Sequence, residues 1–233
     1  GPLVPLDQVP VLLASATDVP RHVQPDHASG PLRFRLVDIV EPPAPGGLPL
    51  MPFFRLHDQR YQMYWQLTTR EQLAARRERL AAEERTRAQR EADTLDRVAP
   101  GEQQPEVEHD FKGEGSNTGI SEGRRWRDGQ SFQYTLNPRG EKAVDLVVTY
   151  WGGDSERTFD ILANGTLLAT QELKAEKPGE FIEKRYPLPP DVLATAVDGR
   201  VTIKFVAKVW VAGGIFDLRL MKAAGRSANP PAN

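Results

Sequence analysis

The sequence predicts a mostly β protein, in which a small N-terminal β-sandwich piece is followed by one long connecting α-helix and a C-terminal β-sandwich or jelly-roll module. Short runs of alternating apolar and polar residues precede residue 67, and a longer series of such runs follows Gly101. Between them, the chain has no Gly or Pro from Thr69 to Val98. The expected divisions are residues 1–67, 68–99 and 100–222, with a disordered tail at 223–233.

The first 67 residues contain four β-type runs and are otherwise rich in Pro and Gly. The runs are residues 11–13, 32–40, 53–57 and 61–67. The second run alternates apolar and charged side chains, which suits a strand with one solvated face. The last two runs are joined by Asp58-Gln59-Arg60 and predict a hairpin. So few short strands bury little apolar surface, and we therefore expect this unit to pack against another domain.

A long helix is predicted from Thr69 to roughly Val98. Thr69 and Gln72 fit a capping box, in which each side chain satisfies the other residue's backbone N–H. The apolar residues form one narrow stripe: Leu73, Leu80, Ala81, Ala88, Ala92 and Leu95. Acidic residues nearly cancel the arginines, and the stripe has too few large side chains for a coiled coil. We interpret this segment as a solvated connecting helix rather than as a nucleic-acid-binding one.

The residues after Gly101 are predicted to form seven or eight strands, a number typical of a sandwich or jelly roll. Asn164-Gly165 is the strongest two-residue hairpin signal in the chain. Both central positions of such a turn need a left-handed backbone, which Asn and Gly adopt readily. The predicted strands are residues 132–136, 144–151, 159–163, 166–170, 181–186, 201–208 and 216–220. Each of the longest runs has one apolar face to bury.

Composition excludes several classes of function. The 30 Lys and Arg residues face 32 Asp and Glu residues, so no positive excess exists for generic nucleic-acid binding. The chain has no cysteine, which excludes disulfides, thiolate catalysis and Cys-ligated zinc or iron–sulfur centres. No apolar run is long enough to span a bilayer, so we expect no membrane partner and no export signal within this chain. We expect no cofactor.

Glu102, Glu106 and His109 are weak candidates for a metal site, since carboxylate and imidazole groups ligate divalent ions. Their spacing is not diagnostic, because Gly101 and Pro105 should keep the segment from forming a helix that aligns Glu106 with His109. The alternative is a loop that caps the sandwich through hydrogen bonds. Neither a Ser/His/Asp arrangement nor a defined carboxylate pair supports catalysis by this chain.

A second candidate site consists of aromatic and charged residues at predicted strand ends or in loops, where rings can stack on sugars beside polar groups. These residues are Arg124, Trp126, Arg127, Trp151, Asp154, Arg157 and Trp210. The alternative is that Trp126, Trp151 and Trp210 fill the two ends of the sandwich core. Both interpretations stay open on the sequence alone.

Three separated motifs carry a resemblance. They are residues 52–65 (PFFRLHDQRYQMYW), residues 100–109 (PGEQQPEVEH) and residues 213–219 (GGIFDLR). Together they resemble the C-terminal half of the bacterial β-L-arabinofuranosidase family of glycoside hydrolases, over nearly the whole chain except the tail. That family's catalytic (α/α)6 barrel, with its cysteine nucleophile and largely cysteine-bound zinc, has no counterpart in this cysteine-free sequence.

The resemblance implies a non-catalytic accessory region: a β-sandwich packed on the barrel, a connecting helix, and a C-terminal jelly-roll module. Residues 1–67 would then contact the catalytic barrel of the same polypeptide, and a secreted or periplasmic location is expected. The alternative function is a carbohydrate-binding module that uses the loops of residues 101–222. Measurements of the binding of arabinose-containing glycans to the isolated C-terminal module separate the two hypotheses.

Overall fold

The computed structural model describes residues 9–56 and 64–223 of the chain. It is mostly β, with antiparallel sheets and one long helix, which confirms the predicted fold class. The chain divides into two compact units, Gly1–Thr86 and Arg87–Asn233, and each has its own hydrophobic core. The predicted hairpin at residues 58–60 and nearly all of the predicted tail lie outside the described residues.

In the described residues of the N-terminal unit, 9–56 and 64–86, the chain forms five short strands. They are β1 (Val11–Leu12), β2 (Val23–Pro25), β3 (Phe34–Leu36), β4 (Val40–Glu41) and β5 (Leu48–Leu50). Strands β1 and β4 form an antiparallel pair, and β2, β3 and β5 form a three-stranded sheet. A small core of Leu12, Leu36, Ile39 and Val40 lies between these strands.

Two strand predictions in this unit are wrong. The run at residues 32–40 is split into β3 and β4, because Asp38 adopts a positive φ of 67° that a strand cannot accommodate. The run that begins at Phe53 forms a short 3-10 helix, Phe53–Arg55, after Pro52. In both places local backbone geometry overrides the apolar composition that favoured a strand.

Helix α1 (Arg70–Asp93) begins at the predicted capping box and buries no residue. The backbone N–H of Gln72 donates to Thr69 Oγ1 at 3.2 Å, and the N–H of Thr69 donates to Gln72 Oε1 at 3.2 Å. The helix ends five residues before the predicted end, because Thr94–Val98 forms strand β6 instead. Leu95, which the sequence placed on the helix stripe, is buried in the sandwich core.

The C-terminal unit is a two-sheet antiparallel sandwich. Its further strands are β7 (Lys112–Glu114), β8 (Asn117–Ser121), β9 (Arg124–Gly129), β10 (Ser131–Leu136), β11 (Val144–Trp151), β12 (Ser155–Ala163), β13 (Thr166–Lys174), β14 (Phe181–Pro187), β15 (Val201–Val209) and β16 (Ala212–Lys222). One sheet has the order β14-β11-β16-β9-β8, with β6 also paired to β16, and the other has the order β13-β12-β15-β10-β7. Two short helices, α2 (Gln103–Glu108) and α3 (Pro190–Ala194), lie in the connections.

The core lies between these sheets and consists mainly of alternate residues of β10, β11, β12 and β15, as the period of two predicts, together with residues of β16. Its aromatic centre includes Phe132 and Phe205, whose rings stack with centroids 5.0 Å apart. Asn164 and Gly165 connect β12 to β13 with positive φ values of 48° and 82°, which confirms the predicted hairpin turn.

The strand register brings one set of loops together at one end of the sandwich, which we call the Trp210 end. Asp128 is paired with Gly213, Tyr150 with Ile215, and Ser155 with Lys174. The turn after β9 and the loops that follow β11, β13 and β15 therefore lie at the same end. Both sheets contribute residues to it.

Candidate functional site

The Trp210 end holds a cluster of one arginine, two carboxylates and an indole. The Nη1 atom of Arg157 lies 3.5 Å from Asp128 Oδ2 and 3.9 Å from Asp154 Oδ2. The guanidinium carbon of Arg157 lies 5.2 Å from the centre of the Trp210 ring, within the range of a cation–π contact. Arg157 and Asp128 are nearly buried, whereas Trp210 is 65% exposed. The exposed ring of Trp210 thus lies over charged side chains that are mostly buried.

Two consecutive glycines in β16 make room for this cluster. The register between β9 and β16 shifts between Gly213 and Ile215, and both glycines have positive φ, 97° and 78°. A Cβ on Gly214 would collide with Asp154 Oδ2 and with Arg157 Nη1. The bulge that Gly213 and Gly214 form is therefore the local feature that admits Asp154 and Arg157 to this end of the sandwich.

The loop that carries Asp154 is fixed by backbone hydrogen bonds. The N–H of Ala175 donates to the carbonyl of Asp154 at 2.7 Å, and the N–H of Gly152 donates to the carbonyl of Glu180 at 2.8 Å. These bonds join the loop after β11 to the loop after β13. Asp154 is thus held in place by its backbone and not only by its ion pair.

Burial raises the pKa of Asp154, because desolvation disfavours its charged form. The nearby carboxylate of Asp128 adds to this increase, while Arg157 opposes it. One guanidinium therefore faces two carboxylates, and the ionised cluster carries a net negative charge. Such a cluster offers hydrogen-bond acceptors rather than a site for an anion.

Trp210 is held in an uncommon backbone conformation. Its φ is 60°, which is a left-handed value that large side chains rarely adopt. Its carbonyl accepts a hydrogen bond from Gln130 Nε2 at 3.1 Å. Non-glycine residues in this region cost about 1–3 kcal/mol and cluster at functional sites, so the exposed and strained indole is the feature that most needs an explanation here.

Arg124 and Trp151 lie in a different group, around Phe181. The guanidinium of Arg124 lies 4.4 Å from the centre of the Phe181 ring. The same ring makes edge contacts with Trp151 at 5.0 Å and with Phe216 at 4.9 Å. Phe181 is thus the shared centre of a partly exposed aromatic group outside the sandwich core.

Trp126 and Arg127 of β9 pack against neighbouring elements of the fold. A Cβ on Gly119 would lie 2.7 Å from Cζ2 of Trp126, so the indole covers the neighbouring strand closely. Arg127 pairs with Glu106 at 2.5 Å and stacks on Phe111 at 4.4 Å. The seven candidate residues therefore form three groups, and only in one of them do Asp154, Arg157 and Trp210 come together around a single guanidinium.

The three metal candidates do not converge. Glu106 accepts hydrogen bonds from Arg127 and from Tyr134, at 2.9 Å for the latter, while Glu102 is exposed. His109 instead contacts the carbonyl of Pro105 at 2.6 Å and Asp96 Oδ1 at 3.1 Å. Within residues 9–56 and 64–223, no three His, Asp or Glu side chains are grouped so that they could hold a metal ion.

The expectation that Gly101 and Pro105 prevent a helix is wrong, because α2 spans Gln103–Glu108. Pro105 lies in the first turn, where its missing N–H would have no intrahelical partner, so it does not interrupt the helix. The helix buries Glu106 against the sandwich and leaves no carboxylate pair for a metal.

Sequence reasoning missed Asp128, Gln130, Phe181 and Gly214. Asp128 contacts Arg157 across the two sheets, and 29 residues separate them in the chain. No local pattern reports such a contact. The Gly213-Gly214 pair was the one available signal, since consecutive glycines in a strand indicate a bulge or a close approach.

The class defined by the geometry is a two-sheet antiparallel β-sandwich with a solvent-exposed tryptophan at one end. The chain belongs to a family of unknown function (DUF6805), whose model matches residues 89–221. Residues 1–67 match a domain of unknown function (DUF4986). A comparison with curated proteins finds no match.

Several solved structures are similar to part of the chain. A family 35 carbohydrate-binding module from Clostridium thermocellum has 14% identity and a TM-score of 0.38, over 49% of this chain and 93% of its own. A family 35 module from an environmental isolate has 18% identity and a TM-score of 0.30, over 44% and 71%. A β-(1,4)-mannanase from Podospora anserina has 17% identity and a TM-score of 0.37, over 53% and 29%. These values are too low to transfer a ligand or an activity.

In the described part of the chain, none of the helices combines the length and the apolar character that a membrane span requires.

Proposed function

We propose that the C-terminal sandwich is a non-catalytic carbohydrate-binding module whose ligand stacks on Trp210. The observation that carries this proposal is the exposed, strained indole above the Arg157 cluster. The C–H face of a sugar ring is apolar, whereas its edge carries hydroxyl groups. An exposed aromatic plane beside fixed polar groups matches both features of such a ligand.

The polar groups suit hydroxyl recognition. Asp154 and Asp128 supply carboxylate acceptors, and Arg157 orients them at 3.9 and 3.5 Å. Because the cluster carries one positive and two negative groups, it favours a neutral sugar over an acidic one. The plant-type, arabinose-containing glycans that the family resemblance suggests are the first ligands to test.

Isothermal titration with arabinose-containing oligosaccharides tests the proposal on the full chain. Trp210→Ala should lower the affinity at least tenfold, about 1.4 kcal/mol, since truncated aromatic anchors typically cost that much or more. Trp210→Phe should retain part of the affinity. Val209→Ala is the control, because Val209 is also exposed and precedes Trp210 directly. If Trp210→Ala leaves the affinity unchanged, the proposal that the ligand stacks on Trp210 is wrong.

For the N-terminal unit we propose a second function. It provides a surface that packs on a catalytic barrel of the same polypeptide. Phe53 is 61% exposed and Phe54 is 65% exposed, and Leu32 is also mostly exposed. Adjacent exposed aromatic side chains indicate an interaction surface. The family resemblance suggests a glycoside hydrolase related to β-L-arabinofuranosidases as the parent protein.

Thermal unfolding of the full parent polypeptide tests this second function. The variant Phe54→Ser should lower the unfolding temperature of the parent protein, because it removes apolar surface from the proposed contact. The same variant should leave the unfolding temperature of the present chain unchanged. Equal effects in both proteins would show that this side chain stabilises only its own unit.

A further inference from the structure

A groove on the C-terminal unit is rich in arginine and lies apart from the Arg157 cluster. Its volume is about 370 Å³, and it is lined by Arg97, Ala99, Pro100, Glu102, Ile120, Gly123, Arg124, Arg125 and Phe216. Three arginines and one glutamate thus contribute to its lining. This excess of positive charge is local, since the whole chain has a formal charge of −2.

Two of the three arginines have no acidic partner among residues 9–56 and 64–223. Among the described residues, neither Arg124 nor Arg125 forms a salt bridge, and Arg125 is exposed. Arg97 pairs with Asp217 through Nε at 2.7 Å, and its side chain remains half exposed. Elsewhere on this unit, the comparable arginines 127, 157, 185 and 219 each face a carboxylate. The groove therefore keeps hydrogen-bond donors that the fold does not use.

The guanidinium of Arg124 is held in place by stacking instead of by charge. Its carbon atom lies 4.4 Å from the centre of the Phe181 ring, and Phe181 in turn contacts Phe216 at 4.9 Å. A guanidinium stacked in this way keeps its N–H edges free and in a fixed plane, which suits bidentate binding of a planar carboxylate.

Apolar surface adjoins these donors. Ile120 is 65% exposed, and Phe216 lines the same groove. An inorganic anion would use only the arginines, whereas a ligand with both an acidic group and an apolar ring face would use the whole lining.

We propose that this groove is a second binding site, which takes a carboxylate-bearing sugar of an acidic polysaccharide. Arg124 binds the carboxylate through its free N–H edges, Arg125 adds positive charge at the edge of the groove, and the exposed Ile120 contacts the ring. The site shares no residue with the Trp210 end and is opposite to it in charge. The two sites would therefore bind different sugars, an acidic one here and a neutral one at Trp210.

Affinity electrophoresis of the full chain in gels that contain polygalacturonate tests this proposal. The wild-type chain should be retarded, and the double variant Arg124→Gln with Arg125→Gln should lose at least tenfold in affinity. Arg139→Gln is the matched control, because Arg139 is exposed and lies outside the groove. Thermal unfolding of each variant confirms that it folds. Arg124→Lys with Arg125→Lys should recover only part of the affinity, because lysine keeps the charge but not the planar donors.

Four outcomes would overturn the proposal. They are no retardation of the wild-type chain, an equal loss in Arg139→Gln, full competition by inorganic phosphate at the same concentration as galacturonate, and equal binding of polyglutamate. Trp210→Ala should leave this binding unchanged, whereas it should remove binding of neutral oligosaccharides. A failure at one site is thereby distinguished from a failure at the other.

Discussion

Glu106 shows how a residue that resembles a ligand can serve the fold instead. Its carboxylate accepts hydrogen bonds from the backbone N–H of Gly101 at 2.7 Å, from Arg127 Nε at 3.0 Å and from the hydroxyl of Tyr134 at 2.9 Å. Burial, the largest cause, and the neighbouring Glu106 carboxylate together raise the pKa of Tyr134 well above its ordinary value, so its hydroxyl stays a donor. One side chain thus joins α2, β9 and β10.

Glu106→Gln should destabilise the chain by about 3 kcal/mol, since it leaves the nearly buried guanidinium of Arg127 without its charge partner. The midpoint of urea unfolding measures this loss. Glu108→Gln is the control, because Glu108 is exposed and accepts its hydrogen bond from Gln104 on the same helix. Equal midpoints for the two variants would contradict this role of Glu106.

His109 makes the stability of the chain depend on pH. The hydrogen bond to Asp96 raises the pKa of His109 above 6.5, and burial only partly opposes it, since Pro105 and Glu108 also favour the charged ring. Burial disfavours the charged form of Asp96, but hydrogen bonds from His109 and from the N–H of Asn137 outweigh it and lower the pKa of Asp96.

A raised pKa in the folded state means that His109 contributes its full stabilisation below about pH 6.5 and loses it as the pH rises through the folded-state pKa. The unfolding temperature of the wild-type chain should therefore decrease as the pH rises from 6.5 to above that pKa. His109→Gln should flatten this dependence. A slope that is the same in both proteins would assign the pH effect to other groups.

At the scale of secondary-structure elements, β16 connects the fold to the candidate site. Its second half pairs with β6 and β11 in the centre of one sheet, while its first half carries the bulge at Gly213 and Gly214. The same strand therefore contributes to the sandwich core and opens the space under Trp210.

Gly214→Ala should weaken the proposed sugar binding more than tenfold, because the added Cβ collides with Asp154 and Arg157 and displaces them. Gly165→Ala is a matched control: its φ of 82° gives the same backbone strain, yet no atom lies within 4 Å of the added Cβ. Both variants should lose about 1–2 kcal/mol of stability, measured by urea unfolding, from the strained φ alone. Intact binding in Gly214→Ala would show that the bulge does not shape the site.

The elements that sequence predicted are those with a local signal. Alternation of apolar and polar residues predicted β11, β15 and β16, the Asn164-Gly165 turn predicted β12 and β13, and α1 carries its capping box. Strands β7 to β9 were missed because residues 112–129 are rich in Gly and charged residues and show no alternation. Strand β6 was missed because it continues a Gly-free and Pro-free run, and its strand conformation depends on pairing with β16, far along the chain.

The candidate site was predictable only in part, for a related reason. Trp210, Arg157 and Asp154 were identified as large or charged residues near strand ends. Their convergence with Asp128 depends on how the two sheets face each other, which no local pattern encodes. The same limit applies to Arg124, whose placement over Phe181 joins two strands that are distant in sequence.

For the whole molecule, the division into two units predicts that the C-terminal unit folds and binds sugar without the N-terminal unit. A fragment of residues 87–223 contains the complete sandwich core and both proposed sites. It should unfold cooperatively and bind the same sugars as the full chain. Loss of cooperative unfolding in this fragment, measured by calorimetry, would show that the sandwich depends on the N-terminal unit.

A nuclear magnetic resonance titration of the ¹⁵N-labelled chain with arabinose-containing oligosaccharides would observe sugar binding at Trp210 itself. The chain has four tryptophans, at positions 65, 126, 151 and 210, and therefore four indole N–H signals. A neutral sugar stacked on Trp210 should shift the signal of Trp210 strongly and leave that of Trp126 in place. Shifts confined to the other indoles, or no shift with any neutral sugar of the panel, would contradict the claim that a neutral sugar stacks on Trp210.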